Sequence, residues 1–227
     1  MSASIAELLQ PTGLVLLGSF APTTADGVPD PGNRQSAKEL LMIGNGGSSF
    51  WAVFSNSPEY CDGGADPLDR WSRRVGAQLA VELGGLAVFP FDGPPYFPFQ
   101  RWAQKTGRVA PSKISMVMHT RFGLWHAYRF ALALPEPTGG LAPQPDFTSP
   151  CTDCPDRPCL QVCPVAAFNG ESYAVDQCVD YLARDSQTAC RTLGCEARRA
   201  CPVDEGFTYL PQHARFHMDA FVRSQRP

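Results

Sequence analysis

Short apolar runs separated by Gly- and Pro-rich stretches set the rhythm of the first 135 residues. Leu14-Val-Leu-Leu-Gly-Ser-Phe20, Leu40-Leu-Met-Ile43 and Leu86-Ala-Val-Phe-Pro-Phe91 are too short for isolated helices, and turn-forming residues bound them, which predicts buried strands. Ile114–Met118 and Ala127–Leu134 predict two more strands about a turn at Arg121-Phe122-Gly123. Between strands the period becomes helical. Leu68, Trp71, Val75, Leu79 and then Val81 or Leu83 recur on one face behind Asp66-Pro67, a capping residue followed by proline at the first helical position. Arg70, Arg73 and Arg74 fall on a solvated face, and Gly84-Gly85 ends the helix. Ser4 caps a short helix through Leu9, and Phe97 to Lys105 reads as another. Residues 21 to 35 read as a loop, and Gly44 to Ser49 as a turn leading into a helix at Phe50. Such a turn can offer N–H groups to an anion, but the Lys-Ser/Thr of a P-loop is missing, so a plain tight turn is the simpler reading. The alternation predicts an α+β domain over residues 1–140, followed by a Pro- and Gly-rich linker, Pro135 to Pro150, that leads into a second domain over 141–227.

That second domain carries the densest chemistry. Eight of the nine cysteines lie between Cys151 and Cys201 in two groups that each end in Cys-Pro. Cys151, Cys154, Cys159 and Cys163-Pro164 form the first; Cys178, Cys190, Cys195 and Cys201-Pro202 form the second. Two sets of four thiolates are what two [4Fe-4S] cubanes require, and the cysteine before each proline is the one that crosses to the other cluster. The spacing therefore groups Cys151, Cys154, Cys159 and Cys201 around one cubane and Cys163, Cys178, Cys190 and Cys195 around the other. Four residues separate Cys154 from Cys159 where bacterial ferredoxins have two. Two alternatives use the same residues: a disulfide framework, which needs an oxidising compartment, and zinc knuckles, which do not need Cys-Pro twice.

Composition narrows the classes. A 227-residue chain with 44% hydrophobic residues can bury a sizeable core plus a small satellite. Its formal charge of −3 would fall to about −7 with eight thiolates and two cubane cores of about +2 each, and no Lys/Arg run appears, which speaks against nucleic acid as a partner. No run of 18 apolar residues occurs, and the opening Met-Ser-Ala-Ser-Ile-Ala-Glu has no basic segment before an apolar one, so the expectation is a cytoplasmic protein with no membrane span. Cys61 reads as a loop thiol. His213 and His217, four apart, would share a helix face without a third metal ligand. Trp102 and Trp125 are by default core residues, and His119, taken alone, a core histidine donating to a backbone carbonyl.

Two segments carry a resemblance. Ile114-Ser-Met-Val-Met-His119-Thr-Arg121-Phe122-Gly123-Leu-Trp125-His-Ala-Tyr-Arg129, closed by Leu134-Pro135, resembles the signature of the CblC-type cobalamin-processing family of decyanases and dealkylases. Asp66-Pro67-Leu-Asp69 is similar to that family's Asp-Pro-Val-Asp. The resemblance implies a nitroreductase-like α+β fold that holds cobalamin base-off, with His119, Arg121, Phe122, Gly123 and Trp125 shaping the corrin pocket and Arg129 near a thiol co-substrate. Thr120, Leu124, His126 and Tyr128 depart from the family pattern. Cys178-Val-Asp-Tyr-Leu182 between two Cys-Pro groups is similar to the ferredoxin-like module of epoxyqueuosine reductases, an arrangement that reductive dehalogenases share. Together these imply an iron–sulfur oxidoreductase that takes electrons from an external low-potential donor and acts on cobalamin or a related corrinoid, with flavin as a further candidate for the cavity. Two other classes stay open: a reductase that uses cobalamin on another substrate with a proton donor such as Tyr128, and a plain electron-transfer protein. Tyr181 and Leu182 beside Cys178 are expected to pack against the first domain.

Overall fold

A computed structural model describes residues 4–32, 35–141, 144, 147–203 and 205–226. In chain order it contains α1 (Ile5–Leu9), β1 (Val15–Phe20), β2 (Glu39–Gly46), α2 (Trp51–Phe54), α3 (Pro58–Cys61), α4 (Pro67–Leu83), β3 (Leu86–Val88), α5 (Phe99–Lys105), β4 (Val109–Pro111), β5 (Val117–His119) and β6 (His126–Leu134). Then follow α6 (Pro158–Gln161), α7 (Val175–Arg184), α8 (Ala189–Leu193), α9 (Glu196–Arg199) and α10 (Pro211–Gln225). The class is α+β with antiparallel sheets. The chain divides into two compact units. Unit 1 comprises residues 1–108 and 126–147, and unit 2 comprises 109–125 and 148–227. A single division at 140/141 is therefore replaced by a discontinuous one, in which residues 109–125 leave the first unit and return.

Unit 1 is built on a four-stranded sheet in the order β1-β2-β6-β3. β2 is buried along its whole length, with Leu40, Leu41, Met42 and Ile43 fully inaccessible, because it is a central strand covered on both faces. That explains why its sequence is a continuous apolar run rather than an alternation. The strand continues to Gly46, so the glycines read as a turn begin inside the sheet. A Cβ on Gly44 would lie 2.0 Å from the Ala127 carbonyl oxygen, at the bulge where the register against β6 shifts. Gly44 thus answers to a close strand approach, not to an anion. The turn proper starts at Gly47 (φ +60°), whose carbonyl accepts from Asn45 Nδ2 at 2.9 Å.

Helix α4 turns Leu68, Trp71, Val75 and Leu79 inward as its period predicts, while Leu83 is half-buried and Val81 exposed. Gly76 lets the helix approach Phe89 and Phe130 closely. Asp66 occupies the N-cap position in a left-handed conformation (φ 47°) and makes no side-chain cap, which corrects the expected role. The three arginines are not merely solvated: Arg70 pairs with Asp62 at 2.7 Å, Arg74 with Glu59 at 2.5 Å and Arg73 with Asp92. Ser4 and Glu7 form a reciprocal capping box on α1. The expected linker is partly anchored in unit 1. The buried Glu39 carboxylate accepts from Thr138 N–H at 2.7 Å, Thr138 Oγ1 at 2.8 Å and Gly140 N–H at 3.2 Å. Residues 142, 143, 145 and 146 of that stretch, like 33 and 34 of the expected loop 21–35, lie outside the described residues.

In unit 2, β4 and β5 pair, and His119 and Gly123 exchange backbone hydrogen bonds of 2.8 and 2.9 Å across the Arg121 turn. The turn is present, but β5 and β6 are not a hairpin: β5 joins β4, whereas β6 joins β2 and β3. Aromatic packing is the reason. Phe122 meets Phe207 at 4.8 Å and Trp125 meets Tyr209 at 5.3 Å. The Arg198 guanidinium covers both Trp125 and Tyr209 at 4.4 Å and donates to the Leu124 carbonyl through Nε (3.1 Å) and Nη2 (2.5 Å). A second cluster gathers Leu182, Cys190 and Val222 with Tyr181 and Met218 around them. Leu182 and Tyr181 take part in this cluster of unit 2.

One carboxylate ties the loop after β1 to α5. Asp26 is buried and accepts from Thr23 N–H at 2.8 Å, Thr23 Oγ1 at 2.9 Å and Lys105 Nζ at 2.5 Å. Trp102 Nε1 donates to its carbonyl at 2.9 Å. The Lys105 ammonium, with the Thr23 donors, holds the carboxyl at about 2 against an ordinary 3.8. Its stabilisation is therefore complete above about pH 4 and is lost as the pH falls through about 2. Asp26→Asn is expected to lower folding stability by roughly 2 kcal/mol at pH 7. Urea unfolding followed by tryptophan fluorescence checks this, with the two proteins converging as the pH approaches 2. Equal midpoints at pH 7 would contradict it.

Candidate metal centre and adjoining grooves

Short helices and prolines place the eight thiols of unit 2. Cys151 lies in the 3-10 turn Pro150–Thr152, Cys159 on α6, Cys178 on α7 and Cys190 on α8, while Cys195 stands at the N-cap of α9. Cys163 and Cys201 end their segments just before Pro164 and Pro202. All nine cysteines, Cys61 included, are free thiols. Cys61 ends α3 instead of sitting in a loop, and it is exposed.

The thiols act on one another in two sets. Burial raises Cys159, and Cys151, Cys201 and Cys154 raise it further. Burial is also the first cause at Cys195, where Cys178 and Cys163 add to it. Cys163 likewise raises Cys178. Cys190 is pushed up to about 12 by burial, with Cys195 contributing. The sets are Cys151, Cys154, Cys159, Cys201 and Cys163, Cys178, Cys190, Cys195. Ionising four half-buried thiols side by side costs too much unless a positive centre stands among them.

Among the described residues, no three His, Cys, Asp or Glu converge closely enough to hold a single metal ion. A cubane is ligated at four separate corners and spreads its thiolates more widely than a tetrahedral zinc ion does. Donors to sulfur complete the fit. Ala167 N–H reaches Cys163 Sγ at 3.3 Å, and Glu196 N–H reaches Cys190 Sγ at 3.5 Å. The two sets suit two [4Fe-4S] cubanes by donor type, number and hydrogen bonding.

The residues of the 114–129 signature divide between the units. His119 is buried, and its Nδ1 accepts the Arg121 N–H at 3.0 Å, so it does not use that nitrogen to donate to a carbonyl. Arg121 is exposed with its guanidinium 5.1 Å from the Phe122 ring, and Gly123 takes φ +52° to close the turn. Phe122 and Trp125 are buried in the core of unit 2. Arg129 lies instead on β6 in unit 1, within electrostatic reach of Asp69 on α4, whose carboxyl is raised by burial and lowered again by Arg129. The two resembling segments thus each place one charged residue within electrostatic reach of the other.

Unit 1 also has an open groove of about 800 Å³ lined by Phe97, Phe99, Gln104, Arg101 and Tyr128. The Tyr128 hydroxyl is buried without a hydrogen-bond partner, and burial raises its pKa strongly. Within unit 2, a cavity of about 530 Å³ runs beside Cys151, with Lys113, Arg157 and Glu171 on its walls. His213 and His217 share a face of α10, their Nε2 atoms 2.9 Å apart, with Tyr209 stacked 3.9 Å from His213. Neither groove, nor Arg198, carries a local sequence signal. Their roles come from neighbours distant in the chain.

Single substitutions test the two sets. Cys154→Ser and Cys201→Ser are expected to abolish the same cluster, and Cys163→Ser and Cys195→Ser the other. Each would lower bound iron from about eight to about four per chain, while Cys61→Ser leaves it unchanged. Iron and sulfide analysis with electron paramagnetic resonance of the reduced variants reads this directly; Cys201→Ser sharing the signature of Cys195→Ser would refute the grouping. Comparison of the chain with protein-family models and with curated proteins finds no match.

Proposed function

We propose that the chain is an iron–sulfur reductase of corrinoids: unit 2 as a ferredoxin-like module with two [4Fe-4S] cubanes, and unit 1 as a nitroreductase-like domain that binds cobalamin base-off. The observation that carries the first half is the company the thiols keep: Cys151, Cys154 and Cys201 act on Cys159, while Cys163 acts on Cys178 and Cys195, and Cys195 on Cys190. Two supports carry the second half. They are the resemblance over residues 114–135 and 66–69, and a groove lined by aromatic, amide and guanidinium side chains.

When bound, the cubanes supply single electrons at low potential. Everything else falls to the chain. The Cys-Pro turns fix which thiolate serves which set, and backbone amides hold the sulfurs. An external low-potential donor provides the electron. One electron delivered to a cobalt(III) corrinoid lets the cobalt–carbon bond to an upper cyanide break; the bonding pair leaves with cyanide, and cobalt(II) remains. Flavin stays a candidate co-occupant of unit 1. The reducing cytoplasm suits free thiols, and among the described residues no helix is long and apolar enough to cross a membrane.

A second reading, an electron-transfer protein without a corrinoid, is favoured by one observation: the Phe122 and Trp125 rings are already used in the core of unit 2. Anaerobically reconstituted protein mixed with cyanocobalamin and a reductant separates the readings. The proposal expects conversion to base-off cob(II)alamin with release of about one cyanide per corrinoid. Binding without loss of cyanide would point to a cobalamin-dependent reductase of another substrate. An unchanged corrin spectrum with no binding would leave the electron-transfer protein.

A further inference from the structure

The cavity of about 530 Å³ in unit 2 takes its walls from separate stretches of chain: the turn between β4 and β5, the 3-10 turn at Cys151, the residue before α6, and the turn at Gly170. Cys151 lines it, whereas Cys154, Cys159 and Cys201 do not, so it is not the space that a metal held by that set would fill. Two cations line it, Lys113 and Arg157. Other basic side chains of unit 2 are engaged: Arg191 and Arg215 pair with Asp219, Arg226 pairs with Asp180, and Arg198 lies over two rings. Among the described residues, neither Lys113 nor Arg157 forms an ion pair, although Glu171 also lines the cavity. Ser112 and Thr152 add hydroxyls to the walls.

Local contacts fix this arrangement without a ligand. Ser149 Oγ donates to the Pro111 carbonyl at 2.7 Å and accepts from Cys151 N–H at 3.3 Å, which ties the 3-10 turn to the end of β4. Ser112 N–H donates to the Met116 carbonyl at 2.9 Å and closes the turn that carries Lys113. The Lys113 stem passes Gly170, where an added Cβ would lie 3.7 Å from Lys113 Cδ and 3.3 Å from Leu160 Cδ1. Arg157 holds φ +41°, which a residue with a Cβ rarely takes, and its carbonyl accepts from Leu160 N–H at 2.9 Å. Non-glycine residues held in this region gather at ligand clamps.

We propose that this cavity binds a small phosphorylated alcohol, with Arg157 and Lys113 on the phosphate and Glu171 accepting from a hydroxyl of the ligand. Two cations in one recess, neither paired, create a positive potential that an oxyanion relieves. The planar guanidinium matches two phosphate oxygens at once, and the ammonium adds a point charge. Size selects an organic ligand over a bare ion, because ligand pockets run from about 300 to 1,000 Å³ and this one falls within that range. A carboxylate beside the cations disfavours a bare dianion and rewards a ligand that brings its own donor. The site is independent of what the eight thiols hold and of any action on corrinoids.

The test is calorimetric titration of the full, metal-loaded chain at low ionic strength with glycerol phosphate and with inorganic phosphate. The wild type should take up one glycerol phosphate per chain and bind inorganic phosphate more weakly. Lys113→Met and Arg157→Gln should each weaken glycerol phosphate about tenfold, while Lys113→Arg, which keeps the charge, retains binding. Glu171→Gln should tighten inorganic phosphate and narrow the difference between the two probes. Lys38→Met, which removes an exposed, ion-paired lysine of unit 1, should change neither. A wild type that binds neither probe at millimolar concentration would overturn the inference, whatever the variants do. So would metal-loaded Lys113→Met and Arg157→Gln that bind like the wild type, or Lys38→Met that weakens binding as much as they do. Equal affinity of the wild type for both probes would overturn the assigned ligand class.

Discussion

Four sulfur atoms that resist ionisation, each close to further cysteines, are the constraint on which unit 2 depends. Burial and the company of like groups raise Cys159, Cys178, Cys190 and Cys195 together. An arrangement of this kind is poor as a set of empty thiols. Half-buried sulfurs facing one another gain little from packing and lose hydration; a positive inorganic core turns the same contacts into ligand bonds. Unit 2 has only short helices before α10, so the proposed clusters would couple metal binding to folding there.

Segment 109–125 is held in that unit by a few strong local contacts. A guanidinium layered over Trp125 and Tyr209, with two donations to the Leu124 carbonyl, fixes the end of the segment within unit 2. Cation–π stacking on two rings by one desolvated arginine is among the stronger side-chain contacts available to a small core. The consequence reaches function. The residues between His119 and Trp125 are shaped first by the needs of this core, and only Arg129, past the crossing, lies in unit 1 beside Asp69.

What could be read from the chain was what is local. The inward face of α4, the capping box at Ser4 and the buried run of β2 follow from periodicity and capping chemistry within a few residues. The two cysteine groups that end in Cys-Pro are equally visible in the chain, while which thiolates share a cluster rests on the proposed cubanes. Partners of β5 were not legible, because β4 is three residues long, ends in proline and shows no alternation, while the contacts that decide the matter come from Arg198, Phe207 and Tyr209, some eighty residues further on. Asp66 misled for a different reason: the residue type suits a cap, but its backbone is left-handed and its side chain makes no cap hydrogen bond.

The central claim, that the two sets of thiolates hold two four-iron cubanes, is tested most directly by Mössbauer spectroscopy of protein assembled with iron-57. The account predicts that all bound iron gives the diamagnetic signature of oxidised [4Fe-4S] clusters at two sites of equal occupancy. Iron in two-iron clusters or isolated tetrahedral sites would contradict it, and so would native protein that retains stoichiometric zinc and takes up no iron.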